Sequence, residues 1–304
     1  MLRPSALVFA LVLVACTDRP ASGSEPGPPM EATSDTTTAD AETIAAFDHV
    51  MATAQIETLH MRPFGEIVQL VGETLIGTPY QDGLLDVGSE ETLVVDLGAF
   101  DCVLYVENVL ALARGIAEED YSFSGYVANL EDLRYRSGAL DGYCSRLHYF
   151  TDWIFDNASR EHMTNITRDI GGEVLPKTLD FMTTHRDAYA RLVSDSTYAC
   201  IVGMEETIRD RELFFVPQDR IESVYGQLEA GDVIATATHI GGLDVTHTGF
   251  THRTEGGGVG FLHASSTGEV KVADDLAAYI RSNDVQIGII VARPIDPRRE
   301  EEGM

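Results

Sequence analysis

Lysine is almost missing from this chain. Only Lys177 and Lys271 occur in 304 residues, and 21 basic side chains face 49 acidic ones, for a formal net charge of −28. Clustered Lys and Arg are what phosphate contacts require, so nucleic acid is excluded as a partner class. Adsorption to anionic lipid through a basic patch is disfavoured for the same reason. There is no HExxH stretch and no paired-Cys spacing of the kind that builds zinc sites, although His239, His247, His252 and His263 lie near one another in sequence; no metal is expected. No phosphate-cradling or dinucleotide glycine pattern is present, and no cofactor is expected. Apolar runs long enough to span a bilayer are also missing.

The amino-terminal residues read as a targeting signal. Arg3 supplies a positive start, 6–15 are apolar, and the run ends in Leu13-Val14-Ala15-Cys16. This resembles a bacterial lipobox, in which cleavage before the Cys leaves a lipid-modified terminus. The expectation is a signal peptide over 1–15 and lipidation at Cys16. Thr17 rather than Asp follows that Cys, which implies the periplasmic face of an outer membrane. Residues 16–40, rich in Pro, Gly, Ser, Thr and acids, read as a disordered tether that cannot bury enough surface to fold. One domain is expected over 41–296, with a short tail at 297–304.

Within that domain the hydrophobic period changes. Helical spacing over 41–56 puts Ile44, Phe47, Val50 and Met51 on one face. A second helix is predicted over 64–76, stopping at Gly77-Thr78-Pro79-Tyr80. Others are predicted at 124–136, 180–194 and 199–211. After residue 230 short β-rich runs follow one another at 233–235, 245–250, 259–262, 270–272 and 286–291, some separated by glycine clusters. Residues 92–97 also read as a strand. The fold class is α+β, with a helical first half packed on an antiparallel sheet or partly open barrel.

The chemistry-bearing residue is Cys102. Val106, Val109, Leu110 and Ala113 keep helical spacing, Asp101 is a suitable N-cap, and Gly98 breaks the chain upstream. A thiol in the first helical turn is favoured as thiolate by the free N–H groups, by less than one pKa unit from the dipole alone (~0.3–1 kcal/mol), so an imidazole partner is needed too. Two candidates come from the strand half: His247 opens one predicted strand and His263 ends the next. Adjacent antiparallel strands would present both to one face, one as base and the other holding its ring. Of the remaining cysteines, Cys144 and Cys200 could be bridged or separately buried.

The order Asp101-Cys102, Gly231-Asp232-Val233-Ile234, His247-Thr248-Gly249 and Leu262-His263-Ala264-Ser265 resembles the NlpC family of papain-like cell-wall cysteine peptidases. That resemblance implies a papain-like fold, Cys102 as nucleophile, His247 as base and His263 as orienting residue, with Tyr80 of the Gly-Thr-Pro-Tyr stretch beside the nucleophile. The stretches Leu133-Arg134-Tyr135-Arg136-Ser137-Gly138, Gly142–Trp153 and Gly242-Leu243-Asp244 are similar to the N-acetylmuramoyl-L-alanine amidase-like branch. That branch implies amide hydrolysis between the lactyl group of an anhydro-muramyl sugar and L-alanine, with cell-wall muropeptides as partner. A D-glutamyl–diamino-acid endopeptidase and a non-catalytic wall-fragment-binding lipoprotein are the alternatives. Asp244 and Ser265, next to the two histidine motifs, are carried as substrate-side candidates. Muropeptide carboxylates call for a local cation, for which Arg146 and His148 are the leading candidates and Arg134 and Arg136 the weaker ones, more readily structural.

Overall fold

The computed structural model describes residues 39–254 and 256–298. The expected signal peptide, Cys16, nearly all of the tether and most of the tail lie outside the described residues.

Helix α1 spans Ala41–Ile56. Asp40 caps it by accepting from the Thr43 N–H at 2.7 Å. Phe47, Val50 and Met51 are buried as the spacing predicts, but Ile44 stays exposed and Thr43 takes the inner position. The reason is polar: the Thr43 hydroxyl accepts from the Leu97 N–H, tying the helix to the segment ahead of Cys102. Helix α2, Phe64–Thr74, follows, and then α3, Cys102–Ala117, which is buried on nearly all sides. Residues 92–97 form no strand, contrary to expectation. Side chains hold them instead: Arg134 donates to the Val94 carbonyl and Tyr135 to that of Thr92.

Helices α4, Phe123–Arg134, and α5, Phe150–Ser159, come next, with short strands β1, Met163–Asn165, and β2, Glu173–Leu175. The predicted helix at 180–194 is only the four-residue α6, Phe181–Thr184, followed by two 3-10 turns. Thr184 turns its hydroxyl back onto the Asp180 and Phe181 carbonyls, and Arg186 reaches the Leu192 carbonyl, so local side-chain bonds replace the helical ladder. Helix α7, Asp195–Ile208, starts earlier than predicted because Ser194 caps it.

Strands β3, Leu213–Pro217, β4, Val233–Thr238, β5, Val245–Arg253, β6, Val259–Ala264, β7, Val270–Ala273, and β8, Gln286–Pro294, complete the sheet, with α8, Leu276–Arg281, inserted before β8. Strand order is β2-β3-β8-β4-β5-β6-β7, with β1 also on β8, and every pairing is antiparallel. β2 and β7 end the order, so the sheet is open and not a barrel. Alternation along the strands splits the core. Phe250, Leu262 and Ala264 pack with Tyr105 and Val106 of α3, whereas Phe261, Ile234 and Val291 pack with Leu276 and Ile280 of α8. No described helix is long and apolar enough to cross a membrane.

Candidate active site

Asp101 caps α3 as its sequence position predicts, accepting from the Leu104 N–H at 2.8 Å. Cys102 is therefore the first residue of the helix, a half-buried free thiol. The expected thiolate does not follow. Burial, and after it the adjacent Asp101 carboxylate, push the thiol up to about 12; the N–H groups of Thr248, Cys102 and Val103 pull the other way and lose. A dipole effect below one pKa unit cannot offset desolvation of a thiolate, and the acidic cap that starts the helix adds repulsion.

Tyr80 is held beside the segment that leads into α3. The Gly77–Tyr80 loop lies on the β7 edge through Gly77 N–H to the Val270 carbonyl and Tyr80 N–H to the Gly268 carbonyl. Its other side pairs with Phe100, two residues before the thiol. Burial, then the charges of Cys102 and Asp101, raise the Tyr80 phenol to about 12.

The two histidines meet. His247 Nε2 and His263 Nδ1 are 2.7 Å apart, with the rings edge-on at 4.9 Å. One proton lies between them. The tautomer in which His247 donates it keeps a lone pair on His247 Nδ1 and puts the His263 proton on Nε2, a buried atom without a protein partner among the described residues. Burial holds His247 down to about 4; burial, then His247 and Lys271, hold His263 down to about 3. Both rings are neutral near pH 7.

Gly249 makes this meeting possible. The β5–β6 register sets Phe250 against Leu262, which brings Gly249 opposite His263. A Cβ at 249 would lie 2.5 Å from the Leu262 carbonyl oxygen and 2.8 Å from both the His263 Cβ and the Phe261 ring. The glycine of the His247-Thr248-Gly249 run is thus needed for close strand approach beside the imidazoles. Thr248, next to His247 on β5, is one of the groups whose N–H pulls the Cys102 thiol down.

Sequence reasoning missed Tyr279. Its ring, on α8, sits 4.7 Å from His263 and 6.1 Å from His247. Burial first, then the charge of Cys102, raise its phenol to about 12. One turn of helix after β7 carries no signal for this in sequence.

The substrate-side candidates divide. A cavity of about 180 Å³ beside the start of α3 is lined by Asp86, Asp101, Val103, Arg146, His148 and Phe150, among others. Arg146 borders it but is committed: it donates to Asp86 Oδ1 at 2.6 Å and to the Leu85 carbonyl at 2.8 Å, over the Tyr143 ring. His148 donates Nε2–H to the Tyr143 carbonyl, and burial, then Arg146, hold it down to about 3, so it brings no charge. Asp244 is engaged inside the fold. Its Oδ2 takes the Thr151 N–H and hydroxyl at the start of α5, and its Oδ1 the Val245 N–H. Ser265 bonds to Thr267 inside the β6–β7 turn. Arg134 is buried against Glu107, and the partly exposed Arg136 pairs with Asp152. Cys144 and Cys200 form a disulfide that ties the turn before Arg146 to α7. Among the described residues, no group of three or more His, Cys, Asp or Glu side chains could hold a metal ion.

Three comparisons bear on this site. The AmiA-like family, described as N-acetylmuramoyl-L-alanine amidase-like, matches residues 70–289. No curated protein matches. Among solved structures, an N-acetylmuramoyl-L-alanine amidase from Bacteroides uniformis is 29% identical with a TM-score of 0.72, over 76% of this chain and 98% of that one. A Bacteroides fragilis structure provisionally named a xylanase is 32% identical with a TM-score of 0.68, over 73% and 98%. A Legionella pneumophila protein at 21% identity and a TM-score of 0.60 shares the fold. The family match spans most of the chain and contains Cys102, His247, His263 and Tyr279; this protein belongs to the AmiA-like, N-acetylmuramoyl-L-alanine amidase-like family of amide-bond hydrolases.

Proposed function

We propose that this protein is a cysteine amidase that cuts between the lactyl group of N-acetylmuramic acid, in the anhydro form, and L-alanine in peptidoglycan fragments. The observation that carries the reading is the 2.7 Å His247–His263 hydrogen bond, in a chain whose α3 opens with the free thiol of Cys102.

With the thiol near 12 and His247 near 4, the resting pair is neutral. The proton therefore leaves Cys102 as the sulfur attacks. The S–C bond forms, the S–H proton passes to His247 Nδ1, and the carbonyl π electrons move to oxygen. The Cys102 N–H at the free end of α3 stabilises that oxyanion. Collapse breaks the C–N bond, and imidazolium returns its proton to the departing L-alanine nitrogen. Water then attacks the thioester, His247 takes its proton, and the S–C bond breaks to give the lactyl carboxylate and the thiol. His263 holds the base ring, which spares it a rotational search.

A glycosidase would require two free carboxylates flanking the bond. Near the thiol, Asp101 is engaged as a helix cap and Glu107 is locked to Arg134, which favours amide chemistry. The amino-terminal pattern ending at Cys16 supports a lipid-anchored envelope protein on the periplasmic face of an outer membrane.

The test is digestion of anhydro-muramyl peptides followed by mass analysis. A released peptide with a free L-alanine amino terminus is expected, lost in Cys102→Ala. Cleavage instead after D-glutamate would move the cut to the endopeptidase bond. Unchanged turnover in Cys102→Ala would refute cysteine catalysis.

A further inference from the structure

The two lysines of this acidic chain are used differently. Lys177 is spent inside the fold: its Nζ donates to the carbonyls of Thr238, Ile240 and Leu243, three acceptors for three protons. Lys271 is exposed, and its one hydrogen bond among the described residues is to the Thr267 hydroxyl at 3.3 Å. It has no carboxylate partner there.

Its position is not arbitrary. In the β6–β7 pairing Lys271 is directly opposite His263, so the two side chains leave the same face of the sheet. The ammonium is close enough that its charge helps to keep His263 neutral. The guanidinium that lines the cavity is committed elsewhere, Arg146 to Asp86, and the other two candidate arginines are paired as well, Arg134 to Glu107 and Arg136 to Asp152. A muropeptide is itself anionic, and a protein of net charge −28 repels it over most of its surface. Among the described residues, the cation beside the histidine pair without an internal carboxylate is therefore where an anionic substrate meets attraction.

We infer that Lys271 forms a carboxylate-binding subsite at the His263 end of the site, taking the free α-carboxylate of the second residue of an acidic stem peptide. This rests on the amidase reading. The subsite selects acidic stems over amidated ones and orients the peptide leaving group; it takes no part in proton transfer.

The experiment uses the full chain and two anhydro-N-acetylmuramoyl dipeptides, one with a free second-residue α-carboxylate and one with that group amidated. The parent should prefer the carboxylate by about fivefold in kcat/KM, carried by KM, as for a solvent-accessible ion pair. The preference should shrink as salt rises. Lys271→Gln should abolish it, by raising KM for the free-carboxylate fragment toward that of the amidated one, and Lys271→Arg should keep it. A parent without preference, or a Lys271→Gln enzyme that discriminates like the parent, overturns the subsite. If the parent cuts neither fragment, the amidase reading fails by itself. Calorimetry of both fragments on Cys102→Ala then decides the subsite: tighter binding of the carboxylate that Lys271→Gln removes supports it, and equal affinities overturn it.

Discussion

Gly249→Ala puts the geometry of the site under direct test. The added methyl would meet the Leu262 carbonyl oxygen at 2.5 Å, the His263 Cβ at 2.8 Å and the Phe261 ring at 2.8 Å, all on β6. A carbonyl and a Cβ cannot swing away as a flexible tip would. To recover ordinary contact β6 must shift by roughly 0.6–0.9 Å, an overpacking strain of about 1–3 kcal/mol. At ~2–4 °C per kcal/mol for a domain of this size, Tm should fall by about 2–12 °C. The larger effect is on turnover. His263 moves with its strand, the 2.7 Å bond to His247 lengthens, and a misplacement near 1 Å costs on the order of 100-fold in kcat. Steady-state kinetics well below Tm, with a thermal melt on the same sample, separate the two effects. Gly203→Ala is the matched control: nothing lies within 4 Å of its Cβ, and it sits inside α7, so it should be silent in activity and slightly stabilising. Near-parent activity in Gly249→Ala would refute the claim that close strand approach sets the histidine pair.

Further expectations follow from the same structure. Burial holds His247 down to about 4, below the ~6.5 of an unfolded chain, so the unfolded state takes the proton first; stability is full above ~6.5 and lost as pH falls toward 4, by about 3 kcal/mol for this residue. The acid limb of kcat/KM should accordingly lie nearer 4 than 6.5, and a limb at ~6.5 would refute a buried neutral base. Removing the Cys144–Cys200 bridge by double substitution to Ala should cost about 4 kcal/mol, given the sequence separation of 56, and raise KM by loosening the wall that carries Arg146 and His148; a melt and a KM measurement check both. Asp244→Ala leaves three buried donors without an acceptor and should lower stability by about 2–4 kcal/mol while KM of the folded fraction holds; a selective KM increase would restore a substrate role for Asp244.

What could be read from the residues was local. Asp101 before an apolar run, the helical spacing over 41–56 and the β-branched runs after residue 230 each declare themselves within a few positions. Segments held by distant side chains do not. The 92–97 stretch has strand-like composition, yet Arg134, Tyr135 and Thr43 claim its backbone groups. Strands β1 and β2 are three residues each, too short to show a period. Asp244 sits three residues before a histidine of interest and looks like site chemistry, but its lone pairs go to α5, some 90 positions away.

The sequence by itself determined the family pattern, the helix-start cysteine and the two strand histidines, because helical caps and strand alternation are short-range properties. Only the tertiary structure decided how those groups behave. Burial pushed the Cys102 thiol up, against the expected thiolate, and kept both imidazoles uncharged. Strand register placed Lys271 opposite His263, and α8 delivered Tyr279 to the pair. Solvation and register depend on which distant segments come together, and no single stretch of chain contains that information.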